Sequence, residues 1–143
     1  MNSSPTITLA TGAVIFRDSN VLLIQRGRAP FMGHWSIPGG KIDYGEEIET
    51  ALHREILEET NIKMEILGLI GAFEALPSKE SEKHFVMIDY ACRYVSGELT
   101  PGDDAMDAAF VPVPEALSRL AWDKTRLAIQ KALPYIQGRN GLD

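Results

Sequence analysis

Gly39-Gly40-Lys41-Ile42-Asp43-Tyr44-Gly45-Glu46 opens a stretch that runs on through Arg54-Glu55-Ile56-Leu57-Glu58-Glu59-Thr60-Asn61-Ile62. Asp43 is a good helix N-cap, and Glu46 three residues later completes a capping-box pattern, so a helix is predicted from about Gly45 to Thr60. Asn61 can end it, because Asn tolerates the left-handed conformation found just past a helix. At about 100° per residue, Glu55, Glu58 and Glu59 fall within an arc of roughly 100°. Ile48, Ala51 and Leu52 share that arc one to two turns earlier. Like charges at these spacings repel, and here they share a side with apolar residues. Two readings stand: a solvated run of glutamates, or a cluster offset by a hard divalent cation, which takes oxygen ligands.

The segment before the helix bears on that choice. Gly39 and Gly40 carry no Cβ and let backbone come close to a ligand or metal. Pro38 stiffens the approach, and Phe31 and Trp35 place aromatic surface in a Gly- and Pro-rich loop spanning Gly27 to Gly40. Trp35 either packs under that loop or meets a ligand.

Outward from this centre, Thr6 to Arg17 and Val21 to Arg26 read as strands joined at Asp18-Ser19-Asn20, a hairpin. Ile62 to Leu76 holds one or two strands, Pro77 to Lys83 a polar loop, and His84 to Val95 a long strand. Gly97 to Asp107 is an acidic loop and Ala109 to Val113 a short strand. Pro114-Glu115 starts a short helix. A terminal helix runs from Trp122 or Asp123 to Gln137, ended or kinked by Pro134. Interspersed strands and helices predict an α/β fold, a mixed sheet covered on both faces.

The 143 residues suit one domain, residues 1–143. With 45% hydrophobic and 24% charged residues, the chain can build a core without staples. The lone Cys92 forms no internal disulfide and reads as a buried thiol. No apolar run approaches the roughly 20 residues of a membrane span, and Met1-Asn2-Ser3-Ser4-Pro5 lacks the features of a signal peptide. The expectation is a cytoplasmic protein that binds neither membrane nor nucleic acid. The net charge of −6 opposes broad binding to nucleic-acid phosphates. Any phosphate substrate needs cations to approach such a surface.

The stretch resembles the Nudix box: Gly, five residues, Glu, seven residues, Arg-Glu-aliphatic-any-Glu-Glu-any-Gly-aliphatic. Here Gly40, Glu46, Arg54, Glu55, Ile56, Glu58, Glu59 and Ile62 match, and Asn61 stands where the family has Gly. Chance would produce the matching set on the order of once in 10⁸ starting positions or fewer. Gly12-Ala13-Val14-Ile15, Val21 to Arg26, Gly33 to Gly40, and Gly102-Asp103-Asp104-Ala105 also look like family segments. The last of these, together with His84-Phe85-Val86 through Tyr94 and Gly97-Glu98, is similar to small bacterial members described as ADP-ribose pyrophosphatases.

The resemblance implies a Nudix-type α/β/α sandwich with a central mixed β-sheet, and Mg²⁺-dependent (or Mn²⁺-dependent) hydrolysis of a nucleoside diphosphate linked to another moiety. It implies metal ligands at Glu55, Glu58, Glu59 and the Gly39 carbonyl. Arg54 would orient a neighbouring glutamate. Glu46 supports the loop or serves only the cap. The general base is Glu58 or Asp104, of which Asp104 has an adjacent acid in Asp103. Arg26, Trp35 and Gly40 are the substrate-contact candidates. ADP-ribose, giving AMP and ribose 5-phosphate, is the favoured substrate. A nucleoside triphosphate pyrophosphatase and a non-catalytic nucleotide-sensing module are the alternatives, and a homodimer stays open.

Overall fold

A computed structural model describes residues 5–29, 31–79 and 81–137; the reading of Met1 to Ser4 as lacking a leader lies outside them. In chain order the elements are β1 (Ile7–Arg17), β2 (Asn20–Arg26), β3 (Trp35–Ser36), β4 (Gly39–Lys41), α1 (Ile48–Thr60), β5 (Lys63–Ala75), β6 (His84–Ser96), β7 (Ala105–Pro112), α2 (Val113–Arg119) and α3 (Asp123–Ile136). The seven strands form one mixed sheet, in which β1 and β6 run parallel from Ile7↔His84 to Phe16↔Arg93 and the other pairings are antiparallel.

The hairpin of β1 and β2 pairs only at its closed end, Phe16↔Val21 and Arg17↔Asn20. Beyond that the strands diverge. β2 pairs with β3 at Ile24 and Gln25, while β1 pairs with β4 at Ala10, Thr11 and Gly12. The predicted loop from Gly27 to Gly40 therefore contains two short strands, which fill the opened wedge. Composition hid them, because a two- or three-residue strand has no periodicity to detect. Strand β7 likewise begins at Ala105, four residues before the expected Ala109, and pairs along the whole of β2. The region from Ile62 to Leu76 is one strand, kept continuous by register shifts at Lys63/Met64, Ile66/Gly68 and Leu69/Gly71.

Alternate residues of β1 supply the two cores, as strand geometry requires. Ala13 and Ile15 pack with Leu22, Leu52 and Ile56 beneath α1. Val14 and Phe16 pack with Leu23, Ala116, Ala128, Ile129 and Ala132 beneath α2 and α3. Helices thus cover both faces, as expected. On α1, Ala51, Leu52 and Ile56 are fully buried, but Ile48 is exposed, so the apolar stripe begins a turn later than its pattern suggests. Pro134 lies inside α3, two residues before its end.

The helix start differs from prediction. Gly45 has φ +82°, outside the helical region, so α1 begins at Ile48 with Glu47 at the N-cap position. Asp43 and Glu46 close a separate turn before it: the Glu46 N–H donates to the Asp43 carbonyl (3.0 Å), and the Asp43 N–H donates to Glu46 Oε1 (3.0 Å). At the other end Asn61 adopts φ +63° and its N–H donates to the Leu57 carbonyl, the predicted left-handed cap.

Asp89, in β6 between Gly12 of β1 and Gly71 of β5, is 4% exposed, and its Oδ1 has no hydrogen-bond partner among the described residues. A Cβ on Gly12 would sit 2.7 Å from that oxygen, so only glycine admits the carboxyl. Burial pushes Asp89 from 3.8 up to about 7, against the opposing Gly12 backbone N–H. The unfolded chain ionises this acid first, so its contribution to stability is fullest below about pH 4 and falls until about pH 7. Asp89→Asn removes that dependence. The melting temperature of the variant relative to the parent is therefore expected to rise between pH 4 and pH 7 in thermal denaturation; a gap that does not change with pH would mean Asp89 ionises normally in the fold.

Candidate active site on helix α1

Arg54 organises the site. Its Nε and Nη2 donate to Glu46 Oε2 (2.8 Å) and Oε1 (2.9 Å), a two-pronged carboxylate pair. Its Nη1 donates to Glu55 Oε1 (2.9 Å) and, more loosely, Glu58 Oε1 (3.4 Å). Nη2 also donates to the Lys41 carbonyl (3.1 Å), and Asp43 lies 3.5 Å away. One guanidinium therefore joins α1, the turn before it and the end of β4. The Arg54 hydrogen bond holds Glu46 at about 2, well below the usual glutamate range, and the same contacts push the Arg54 pKa further up. Glu46 is thus a loop-supporting residue gripped by Arg54, more than a capping partner.

Two glycines bring the helix glutamates against the sheet. A Cβ on Gly40 would overlap the Glu55 carboxylate. The space a Gly40 side chain would need is taken by Glu55. Gly39 pairs with Gly12, and the Ala13 N–H donates to the neighbouring Pro38 carbonyl (2.9 Å). By the alternation of an antiparallel ladder, the polar groups of Gly39 turn away from β1. Its N–H donates to Glu59 Oε1 (3.0 Å), and its carbonyl turns the same way. A Cβ at Gly39 would collide with β1 backbone, so both glycines are sterically required.

The loop between β6 and β7 closes the other side. It docks on the C-terminal end of α1, where helix carbonyls lack partners. The Thr100 N–H donates to the Thr60 carbonyl (3.0 Å), the Gly102 N–H to the Glu59 carbonyl (2.7 Å), and Asn61 Nδ2 to the Glu98 carbonyl (3.0 Å). A Cβ on Gly102 would lie 2.5 Å from the Glu58 carbonyl, so the close docking depends on that glycine. Asp103 and Asp104 are thereby carried to a cleft of about 510 Å³ lined by Arg28, Glu55, Glu58, Glu59, Gly102, Asp103 and Asp104.

The electrostatics of the cleft are unbalanced. Burial pushes Glu59 up to about 7; the Gly39 N–H and the Arg26 charge oppose this, and the charges of Glu55 and Asp104 add to it. Glu55 is also raised, chiefly by burial, with Arg54 pulling the other way. Glu58 is the outermost of the three, with its side chain 61% exposed. Among the described residues, no three His, Cys, Asp or Glu side chains already stand in a metal-binding group. The contacts explain this: Arg54 draws Glu55 and Glu58 towards itself, while the Gly39 N–H holds Glu59. As a donor set the cleft does fit a hard divalent ion: oxygen ligands, excess negative charge, and a carboxylate, Glu59, that burial and the neighbouring charges of Glu55 and Asp104 raise.

The structure brings together Arg54, Glu55, Glu58, Glu59, Gly39, Gly40 and Asp104 as one site. Arg26 ends β2, near enough for its charge to bear on Glu59. Trp35 is not among the cleft-lining residues. It packs against the core under α2 and α3, with the Arg119 guanidinium 4.7 Å above its ring. Sequence reading missed Arg28, which lines the cleft, because a basic residue in a loop carries no spacing signal. It quoted Gly102 within a family-like segment but gave it no role, because its need for smallness arises only from contact with α1.

Comparisons with known proteins agree with this architecture. The NUDIX domain family model matches residues 6–131. The ADP-ribose pyrophosphatase of Methanocaldococcus jannaschii is 33% identical over 133 residues, covering 93% of this chain and 75% of that protein. An 8-oxo-(d)GTP phosphatase of Mycolicibacterium smegmatis is 28% identical over 135 residues, covering 85% of this chain and 40% of that one. The crystal structure of a MutT NUDIX hydrolase from Burkholderia pseudomallei superposes with a TM-score of 0.75 at 33% identity, covering 88% of this chain and 98% of that one. With the box glutamates gathered by Arg54 and the match running almost end to end, the chain belongs to the Nudix hydrolase family.

Proposed function

We propose that this protein hydrolyses the diphosphate of ADP-ribose to AMP and ribose 5-phosphate. The observation that carries the reaction type is the single cleft in which Glu55, Glu58 and Glu59 of α1 meet Asp103 and Asp104 of the β6–β7 loop. The substrate is supported by likeness to the M. jannaschii ADP-ribose pyrophosphatase over 93% of the chain. Relatives named for oxidised guanine nucleotides keep nucleoside triphosphate hydrolysis as the second reading.

Nudix hydrolases generally work with a divalent metal ion, here Mg²⁺ or Mn²⁺, which when bound polarises phosphoryl oxygens and lowers the pKa of a bound water. Glu55, Glu58, Glu59 and the Gly39 carbonyl are its proposed holders. Arg54 acts through the carboxylates, fixing Glu55 and Glu58 relative to β4. Gly40 acts through Glu55, which it admits. Arg26 is proposed to meet substrate phosphate and Trp35 to contact substrate from the neighbouring wedge. Glu58 and Asp104 are the candidates for taking the proton from the attacking water. A small-molecule nucleotide as the partner and a cytoplasmic setting complete the proposal; a homodimer remains compatible with it.

Product identity decides between the readings. Incubated with Mg²⁺, the protein is expected to release AMP from ADP-ribose, and chelator should stop the reaction until metal is restored. Pyrophosphate released from a nucleoside triphosphate, with ADP-ribose untouched, would favour the second reading. Glu58→Gln is expected to keep the fold and lower turnover by about 10²–10⁴-fold. The Arg54 clamp has its own test: in Arg54→Gln, the Glu46 carboxyl is expected to titrate well above about 2 by NMR. Titration still near 2 would remove Arg54 as the cause.

A further inference from the structure

The cleft is lined by five carboxylates, Glu55, Glu58, Glu59, Asp103 and Asp104, and by one cationic side chain among the described residues, Arg28. A diphosphate entering such a site meets strong repulsion, and cations must offset it. Arg28 stands two residues beyond the end of β2. The backbone there is held from several sides. The Gly27 N–H donates to the Asp104 carbonyl (2.9 Å), the Gly33 N–H to the Arg26 carbonyl (2.7 Å) and the Arg26 N–H to the His34 carbonyl (2.8 Å). A Cβ on Gly27 would lie 3.1 Å from the Asp104 carbonyl, so the two loops touch directly. Arg28 Nε then meets Asp104 Oδ1 at 2.9 Å, with the two side chains 68% and 64% exposed.

An ion pair so exposed contributes little to stability. Its effect is geometric: it limits the rotamers of a long side chain at the mouth of the cleft, and so reduces the conformational freedom that must be lost when a ligand binds. Beside its ion pair with Asp104, the guanidinium carries several N–H groups in a planar fork, which suits the bidentate geometry of phosphate oxygens.

We propose that Arg28 is a diphosphate-binding residue and that Asp104 is the positioning residue that holds it across the cleft. This rests on the diphosphatase reading above. It narrows that reading, because it assigns the Asp104 carboxylate to Arg28 and leaves Glu58 as the proton acceptor.

The test compares the parent with Arg28→Ala, Arg28→Lys and Asp104→Asn. Binding of imidodiphosphate in the presence of Mg²⁺ is measured by calorimetry, Mn²⁺ affinity by electron paramagnetic resonance, and kcat and KM against pH on whichever nucleotide the parent cleaves. Arg28→Ala is expected to weaken imidodiphosphate binding and raise KM by about ten- to a hundredfold, with Mn²⁺ affinity not weakened. Arg28→Lys should recover part of the loss. Asp104→Asn should raise KM by about three- to tenfold and keep the acidic limb of the kcat profile. Unaltered imidodiphosphate binding in Arg28→Ala overturns the proposal while leaving hydrolysis by the parent intact. A collapse of kcat and loss of the acidic limb in Asp104→Asn overturns the positioning role and makes Asp104 the base. A parent that cleaves neither ADP-ribose nor a nucleoside triphosphate defeats the diphosphatase reading itself, whereas the imidodiphosphate comparison still reports on Arg28.

Discussion

Arg54 is the fixed point of this structure. It sits mid-helix, yet its five N–H donors reach the turn before the helix, the end of β4 and two helix glutamates. Without it, Glu46, Glu55 and Glu58 would repel one another and the turn at Asp43 to Glu46 would lose its tie to α1. The guanidinium suits this task because its planar fork takes a carboxylate with two parallel bonds and stays charged at any working pH. Its half-buried position, with the side chain 28% exposed, reduces competition from water.

Sheet geometry supplies the surface against which this network is set. The β1–β2 hairpin opens just beyond its turn, and β3 and β4 occupy the gap. That places Gly39 and Gly40 on the edge of β1 nearest α1, where each lacks a side chain for a specific steric reason. One lies against β1 backbone, and the other leaves room for Glu55. A metal-binding proposal depends on this closeness, because carboxylates one helix turn apart can share an ion only if a rigid backbone limits where they point.

The charge pattern explains how a protein of net charge −6 could take a polyanionic substrate. Negative charge is concentrated in the cleft, where burial already raises Glu59 and Glu55. Basic side chains are positioned at its margins, with Arg28 on the β2–β3 loop and Arg26 at the end of β2. The same sheet buries a second unmatched acid, Asp89, away from the cleft lining and with no role assigned.

Much of this was legible from residue order. The box spacing identified the helix, its Asn61 cap and the carboxylate triad, because helical periodicity is local and a left-handed cap has few acceptable residues. Runs of β-branched and apolar residues along β1, β2 and β6, bounded by turn residues, announced the long strands for the same reason. Chain order could not reveal features created by contacts between distant segments. Gly45 delayed the helix start and turned an expected capping box into a separate turn. Strands β3 and β4 exist only because the hairpin splays. Gly40 is small because of Glu55, and Gly102 because of Glu58. Arg28 matters because a loop more than seventy residues away places Asp104 beside it. Local pattern decides which residues can form a helix or bear a charge, but which charges face one another is settled only when the sheet and the docked loop bring them within hydrogen-bonding reach.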